Sequence, residues 1–269
     1  MDERMRADAA LKARGLAASR ERAQALISAG LVTVNGRTIE KPARKVGPAD
    51  ILEVLGSVHP YVGRGGLKLE KALSAFGIAP AGQVCMDIGA STGGFTDVLL
   101  RNGAARVYAI DVGAGQLDPS LQADERVVSM EKVNARALTP DMFAQRPTLA
   151  VMDVSFISIK LILPAALAVL GAGGRLVSLV KPQFEAGRDR LGKGGLVTSA
   201  RTHGAVLRDL VDFVPTLGWR VRALDFSPVA GGSGNLEFLA DLVPQSRWDG
   251  MISEREIERV VRQAHEAVR

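Results

Sequence analysis

Residues 84–95 read Val84-Cys85-Met86-Asp87-Ile88-Gly89-Ala90-Ser91-Thr92-Gly93-Gly94-Phe95 and carry the strongest structural signal in the chain. The apolar run up to Ile88 predicts a buried parallel strand with one acid, and the small residues after it predict a tight loop. A helical pattern then extends from Phe95 to the stop signal Asn102-Gly103. Together they predict the first turn of a nucleotide-binding α/β unit, because glycines let the backbone approach a ligand and a helix N-terminus presents unpaired N–H groups.

The chain beyond this turn predicts further strands of the same sheet. A second strand ends in Asp111, where the ribose of a nucleotide cofactor would lie. Apolar runs predict the remaining strands at 126–130, 148–153, 175–182 and 236–242, and helices are predicted at 159–170 and 200–217. The sequence therefore predicts a Rossmann-like α/β fold with a mostly parallel sheet and helices on both faces. The loop lacks the G-x-G-x-x-G pattern, which weakens a dinucleotide interpretation, and a turn without any ligand stays as the alternative.

Residues 87–94 resemble motif I of S-adenosylmethionine-dependent methyltransferases. The resemblance implies S-adenosyl-L-methionine as the cofactor, with its methionine end held by the acid and the loop. It also implies that the acid after the second strand holds the ribose and that a polar residue after the third strand meets the adenine. The implied cofactor-binding residues are Asp87, Gly89, Ala90, Ser91, Thr92, Gly93, Gly94, Phe95, Asp111, Val112, Asn134 and Asp153.

The first 60 residues are more basic than the rest of the chain. They hold 10 Lys and Arg against 7 Asp and Glu, whereas residues 61–269 hold 24 against 22. Ser19 predicts a helix cap, and Asn35-Gly36 between apolar runs predicts a hairpin with a type I′ turn. A basic module indicates an anionic polymer as partner, because neutralisation of phosphates is additive and independent of sequence.

These 60 residues resemble the small α+β S4 RNA-binding fold, on motifs that include Arg6-Ala7-Asp8, Arg14-Gly15-Leu16 and Val34-Asn35-Gly36. We expect an S4-like domain at 1–60 and a methyltransferase domain at 61–269, with a linker at 56–62. The resemblance implies contacts to folded RNA, and for any single residue a merely solvated position is the alternative. The predicted RNA-binding residues are Arg4, Arg6, Arg14, Arg20, Arg22, Arg44, Lys45, and in the larger domain Arg64 and Lys193.

Four ionisable residues fall where a ligand of the sheet would meet them. Asp153 and Lys181 lie at the carboxyl ends of predicted strands. Lys68 lies on a helix before the sheet, and Glu237 is on a late strand. This Lys–Asp–Lys–Glu order resembles the tetrad of FtsJ/RrmJ-type ribose 2′-O-methyltransferases. With the motifs around Tyr61–Leu69, Asp153–Ser158 and Val180–Glu185, the chain resembles the TlyA family of ribosomal RNA cytidine 2′-O-methyltransferases, some of which carry a haemolysin label.

The chemistry of such a reaction requires residues of this kind. A ribose hydroxyl is a poor acid, so its attack on a sulfonium methyl group requires a group that removes its proton. We expect Lys181 to be that group, Lys68 to disfavour its charge by repulsion, and Asp153 to orient its amine. Glu237 is expected to position a lysine or the ribose. The alternative is that all four form ordinary ion pairs at strand ends. Phe156 is expected to lie in the core, and stacking on a base extruded from the RNA is the alternative.

The family resemblance implies ribosomal RNA or ribosomal subunits as the partner. It further implies methylation of the large-subunit RNA, and the long charged C-terminal helix together with the full N-terminal helix favours both subunits. A non-catalytic RNA-binding assembly factor, a dehydrogenase and a membrane-active haemolysin remain as alternatives.

Composition excludes several classes of protein. The single cysteine forbids an internal disulfide, and the absence of a Cys/His cluster predicts no metal site. The N-terminus is charged, and the longest apolar run, residues 161–170, is far shorter than the roughly 20 residues of a membrane span. We therefore expect a cytoplasmic protein without membrane contact. His203 and His265 lie on predicted helices and are expected to have no partners.

Overall fold

The computed structural model describes residues 4–55, 59–231 and 234–268. The chain divides into two compact units, Met1–Pro60 and Tyr61–Arg269, which we call the N-terminal and C-terminal units. Residues 56–58 of the predicted linker lie outside the described residues.

The N-terminal unit packs two helices on two small antiparallel sheets. Ser19 caps the second helix by accepting a hydrogen bond from the Arg22 N–H, as predicted. Asn35 and Gly36 both have positive φ, which is the type I′ geometry expected for the hairpin. Its elements are β1 (Met5–Arg6), α1 (Ala7–Ala13), α2 (Arg20–Ser28), β2 (Val32–Val34), β3 (Arg37–Thr38), β4 (Lys45–Val46) and β5 (Leu52–Val54), paired as β1-β4 and β3-β2-β5.

The C-terminal unit contains a seven-stranded sheet in the order β11-β12-β10-β9-β6-β7-β8. The five strands from β10 to β8 are parallel, and β12 runs antiparallel to both of its neighbours. The strands are β6 (Val84–Ile88), β7 (Arg106–Ile110), β8 (Val127–Met130), β9 (Leu149–Met152), β10 (Arg175–Val180), β11 (Trp219–Phe226) and β12 (Phe238–Pro244). The helices are α3 (Gly65–Phe76), α4 (Gly94–Arg101), α5 (Pro119–Gln122), α6 (Leu163–Leu170), α7 (Pro182–Glu185), α8 (Ala200–Phe213) and α9 (Glu254–Ala267).

Both faces of this sheet are buried, as the near-continuous apolar strands predict. Side chains alternate between the faces, so Met86 and Ile88 join one apolar cluster while Cys85 joins the other. Helices α3 and α4 cover the Cys85 face, and α6, α8 and α9 cover the opposite one. The predicted Rossmann-like α/β fold with helices on both faces is therefore confirmed.

The structure differs from the predicted elements mainly at prolines. The predicted helix 159–170 begins as a 3₁₀ turn, Ile159–Leu161, and becomes α-helical only with Pro164 in its first turn. The predicted helix 200–217 ends at Phe213 and continues as 3₁₀, because Pro215 cannot donate the next helical hydrogen bond.

The expectation for the two histidines was wrong. His203 Nδ1 and His265 Nε2 lie 2.9 Å apart, and His203 Nε2 lies 3.1 Å from the carbonyl of Val197. The partner comes from a helix 62 residues away in sequence, a contact that no local pattern reveals.

Candidate active site

Four charged residues meet at one edge of the large sheet. Asp153 follows β9 and Lys181 follows β10; because these neighbouring strands are parallel, their carboxyl ends lie side by side. Glu237 precedes β12, which runs the opposite way, so its N-terminal end reaches the same edge. Lys68 comes from the first turn of α3.

The four side chains form a continuous chain of alternating charge. Lys68 Nζ lies 2.6 Å from Glu237 Oε2 and 3.9 Å from Asp153 Oδ2. Asp153 Oδ1 lies 2.6 Å from Lys181 Nζ, so one carboxylate bridges the two lysines. Both lysines and Glu237 are buried, and buried charges persist only when they are paired. The structure therefore brings together all four residues predicted as catalytic.

A fifth polar side chain joins this cluster. Lys181 Nζ donates a hydrogen bond of 2.8 Å to Ser155 Oγ. None of the sequence patterns described above assigns a role to Ser155. Its place two residues after the strand-end Asp153 is the signal that could have identified it.

Two adjoining clefts open beside the cluster. The smaller, of about 270 Å³, is lined by both lysines, by Arg64 and by the glycine loop. The larger, of about 560 Å³, is lined by the residues that follow β7, β8 and β9. Gly89, Ser91, Asp153 and Ser155 line both. Of the predicted cofactor residues, the smaller cleft adds Ala90, Thr92, Gly94 and Phe95, and the larger adds Asp111, Val112 and Asn134.

Gly89 sets how closely the loop approaches Asp153. Its φ is +85°, and an added Cβ would lie 2.5 Å from the carbonyl oxygen of Asp153. Any side chain here would push the loop away from the end of β9. The next turn is fixed by Asp111, whose carboxylate accepts hydrogen bonds from the Ser91 N–H at 2.8 Å and the Gly113 N–H at 2.7 Å.

The other two predicted cofactor residues, Asp87 and Gly93, are buried and line neither cleft. Asp87 Oδ2 accepts a 2.8 Å hydrogen bond from Thr96 Oγ1, while Oδ1 has no hydrogen-bond partner within the described part of the chain. Burial raises the pKa of this carboxyl to about 7. A buried acceptor without a donor indicates a group that a ligand or water completes.

In the larger cleft, Asn134 Oδ1 caps a 3₁₀ turn by accepting from the Arg136 N–H at 3.1 Å, and Val112 is exposed. The core position expected for Phe156 was wrong: its side chain is 93% exposed at the rim of this cleft, with its ring 5.3 Å from that of Phe184. The cause is local, because the Phe156 backbone has a φ of +66°, which turns the chain out of the direction of β9. Bulky residues rarely adopt this conformation, and such strain is commonest at functional sites.

The predicted RNA-binding residues of the N-terminal unit differ in their surroundings. The buried carboxylate of Asp8 accepts hydrogen bonds from Arg6 at 3.0 Å and from Arg20 at 3.3 Å, so it holds both guanidinium groups. Arg14 donates to the carbonyls of Gly47 and Asp50.

The other predicted RNA-binding residues lie in separate surroundings. Arg22 is half-buried and donates to the carbonyl of His59. In the C-terminal unit, Lys193 lies on an exposed 3₁₀ turn. The remaining predicted residues, Arg4, Arg44, Lys45 and Arg64, are exposed.

The described residues hold no group of three or more His, Cys, Asp or Glu side chains that could bind a metal ion. None of the helices they form has the length and apolar character needed to cross a bilayer.

Comparison with known proteins gives matches over nearly the whole chain. The FtsJ-like methyltransferase family matches residues 61–242, and the S4 domain matches residues 5–52. Protein YqxC of Bacillus subtilis is 46% identical over 98% of this chain and 95% of its own length. The 16S/23S rRNA (cytidine-2′-O)-methyltransferase TlyA of Mycobacterium tuberculosis is 44% identical over 98% of each chain.

Two more matches extend the comparison. Hemolysin A of Brachyspira hyodysenteriae is 42% identical over 89% of this chain and all of its own. A solved structure of a Streptococcus thermophilus protein superposes with a TM-score of 0.78 at 45% identity, covering 98% of this chain and 96% of that one.

Proposed function

The chain belongs to the FtsJ-like methyltransferase family and, within it, to the TlyA group; on this premise we propose that it methylates the 2′-hydroxyl of a cytidine in ribosomal RNA. The observation that carries the proposal is the buried Lys–Asp–Lys–Glu cluster beside the glycine-loop cleft. We propose that the N-terminal unit binds RNA and that the C-terminal unit catalyses methyl transfer. Ribosomal RNA as substrate implies a cytoplasmic location.

The cleft residues fit S-adenosyl-L-methionine, which would supply an electrophilic methyl group bound to a sulfonium sulfur. Gly89 lets the loop pack closely against the carbonyl of Asp153, and Asp87, on the strand that leads into the loop, has one carboxylate oxygen without a hydrogen-bond partner among the described residues. We propose that the loop and Asp87 hold the methionine end. Asp111 and Val112 would hold the ribose and Asn134 the adenine, since all three line the larger cleft.

Methyl transfer requires that the sugar hydroxyl lose its proton as it attacks. The new bond joins the 2′-oxygen to the methyl carbon, the bond from sulfur to that carbon breaks, and the proton passes to Nζ of Lys181 in its uncharged form. Asp153 pairs with both lysines and so orients Lys181. Glu237 holds Lys68 in place.

The surroundings of the cleft support an RNA substrate. Phe156 presents an exposed ring at the rim, and aromatic side chains stack on unpaired bases in proteins that modify a nucleotide taken out of its helix. Arg64 lines the same cleft as the two lysines, where it can meet a phosphate. We propose both as contacts of the target strand.

Both ribosomal subunits are the proposed targets. The relative from Mycobacterium tuberculosis, whose name specifies 16S and 23S RNA, aligns over 98% of this chain. The N-terminal helix α1 and the long C-terminal helix α9 are both present.

The test uses the purified chain with ribosomal subunits and S-adenosyl-L-methionine, followed by mapping of 2′-O-methyl groups on the RNA. We expect methylated cytidines with the wild type and none with Lys181→Ala, while RNA affinity stays unchanged. Arg255→Ala, on the exposed face of α9, serves as the matched control for loss of one positive charge.

Three outcomes would contradict the proposal. RNA binding without methylation by the wild type would identify a non-catalytic assembly factor. Full activity of Lys181→Ala would remove this lysine from the mechanism. Binding of a nicotinamide dinucleotide in place of S-adenosyl-L-methionine would indicate a dehydrogenase.

A further inference from the structure

The amine of Lys181 is held by two neighbouring side chains. Beyond Cε, a lysine nitrogen offers three tetrahedral positions, each filled by a hydrogen or by a lone pair. Ser155 Oγ accepts a hydrogen bond from Nζ at 2.8 Å and so fixes one of these positions, while Asp153 Oδ1 forms an ion pair with Nζ at 2.6 Å. Lys181 also lines the smaller cleft, where another position of the amine can meet a hydroxyl group.

Ser155 lies where the two clefts join. It lines both the smaller cleft, with the lysines, and the larger cleft, with Asp111 and Asn134. Its hydroxyl is exposed to the cleft, whereas the lysine that it contacts is buried. A serine here can restrict the lysine from the side of the clefts.

The loop that carries Ser155 is anchored at both ends. On one side the Asp153 N–H donates to the carbonyl of Ile88 at 3.0 Å. On the other, Glu185 accepts hydrogen bonds from Ser158 Oγ at 2.6 Å and from the Ile159 N–H at 2.9 Å. These contacts hold the segment around Ser155 and fix the direction from which its hydroxyl meets Lys181.

We propose that Ser155 is a positioning residue for methyl transfer, an inference that rests on the function proposed above. The hydrogen bond to Ser155 takes one N–H of the uncharged amine and the attraction of Asp153 directs the other, so the remaining lone pair faces the acceptor hydroxyl. When the 2′-oxygen attacks the methyl carbon, its proton passes to that lone pair and the bond from sulfur to carbon breaks.

Without the hydroxyl of Ser155, the amine can rotate more widely about the Cε–Nζ bond. Of the two contacts described above, the ion pair with Asp153 is then the one that remains. The lone pair then faces the hydroxyl in a smaller fraction of complexes. Misdirection of a catalytic group lowers the rate of the chemical step without weakening the binding of either substrate. Ser155 is therefore expected to act on kcat and to leave KM unchanged.

The test compares Ser155→Ala, Ser155→Thr and Ser158→Ala in the full chain, with ribosomal subunits and S-adenosyl-L-methionine. We expect Ser155→Ala to lower kcat roughly 10- to 100-fold. The KM for RNA and the Kd for S-adenosyl-L-methionine should stay at wild-type values. Ser155→Thr, which keeps the hydroxyl, should restore most of kcat. Ser158→Ala loosens the same loop without touching Lys181, so it should lower Tm and retain most of kcat.

The outcomes separate this inference from the proposed function. Wild-type kcat in Ser155→Ala, while Lys181→Ala is inactive, would overturn the role of Ser155 and leave the proposed function standing. A rise in KM at unchanged kcat, or an equal loss of kcat in Ser158→Ala, would also overturn it. Absence of 2′-O-methylation by the wild type would overturn both.

Discussion

Two fully buried aspartates, one in each unit, show opposite electrostatic behaviour. Asp8 in the N-terminal unit accepts hydrogen bonds from Arg6, Arg20 and Gln24 and from a backbone N–H. The hydrogen bond from Arg6 is the largest cause that holds its pKa well below the ordinary range. Asp87 in the C-terminal unit has a single side-chain donor, Thr96, and burial raises its pKa to about 7.

Burial alone therefore does not determine whether the pKa of a carboxyl group is raised or lowered. The donors around it decide whether the charge is favoured. Asp8 is surrounded by cations and holds two arginines at the surface, where they can meet phosphates. Asp87, on the strand that leads into the glycine loop, has one oxygen without a donor among the residues that the structure describes, at a cost in stability that a bound ligand can offset.

The largest expected effect comes from removing the partner of a buried acid. Lys68→Met leaves the buried carboxylate of Glu237 without its 2.6 Å partner, so we expect the free energy of unfolding to fall by roughly 3–5 kcal/mol. Denaturant titration measures it. The double variant Lys68→Met/Glu237→Gln should recover much of the loss because it removes the stranded charge, and failure to recover would contradict the pairing.

Next in size is Asp8→Asn, which removes the charge that holds Arg6 and Arg20. We expect local stability to fall by roughly 1–3 kcal/mol at pH 7, together with weaker RNA binding. Because the folded pKa of Asp8 is lowered, its stabilising effect is present above about pH 4 and is lost as the pH falls. Hydrogen exchange of residues 4–55 in the full chain measures it. Equal protection of wild type and variant at pH 7 would refute this role.

Asp87→Asn should change the stability of the protein in the opposite direction, by increasing it at neutral and higher pH. A raised pKa means that wild-type stability decreases as the pH rises from about 4 through about 7. The neutral amide avoids that cost, so we expect Tm at pH 8 to rise by about 2–4 °C, as ~1 kcal/mol would give. At pH 4 the gain should disappear. Binding of S-adenosyl-L-methionine should weaken, and a variant less stable than wild type at pH 8 would contradict the comparison.

The smallest effect is expected at exposed cations. Arg44→Ala/Lys45→Ala should weaken RNA binding modestly and reduce the slope of log K against log salt by about 1–2, since each phosphate contact contributes roughly 0.7–0.9. Filter binding at several salt concentrations measures it. Arg255→Ala/Arg262→Ala removes the same charge from α9 and should leave the slope unchanged; an equal change would show that the effect is one of net charge.

The sequence predicts the sheet and much of the site because both depend on local regularities. Asp153 and Lys181 each end an apolar run, and strand ends in a parallel sheet converge. The exposure of Phe156 could not be predicted, because it depends on one positive φ rather than on hydropathy. The contact of His203 with His265 joins elements 62 positions apart, which no local pattern of residues encodes, and the hydrogen bond from Lys181 to Ser155 depends on the rotamer of the lysine.

The reversed direction of β12 has a consequence for how the protein is made. Lys68 and Glu237 are 169 positions apart, and Glu237 reaches the shared edge only because a late strand is inserted antiparallel between β10 and β11. During synthesis the five parallel strands leave the ribosome first, at a stage when Lys68 has Asp153 but not yet Glu237 as a partner. The site is completed by the last quarter of the nascent polypeptide, so a chain interrupted before that point has the cofactor cleft without a finished reaction centre.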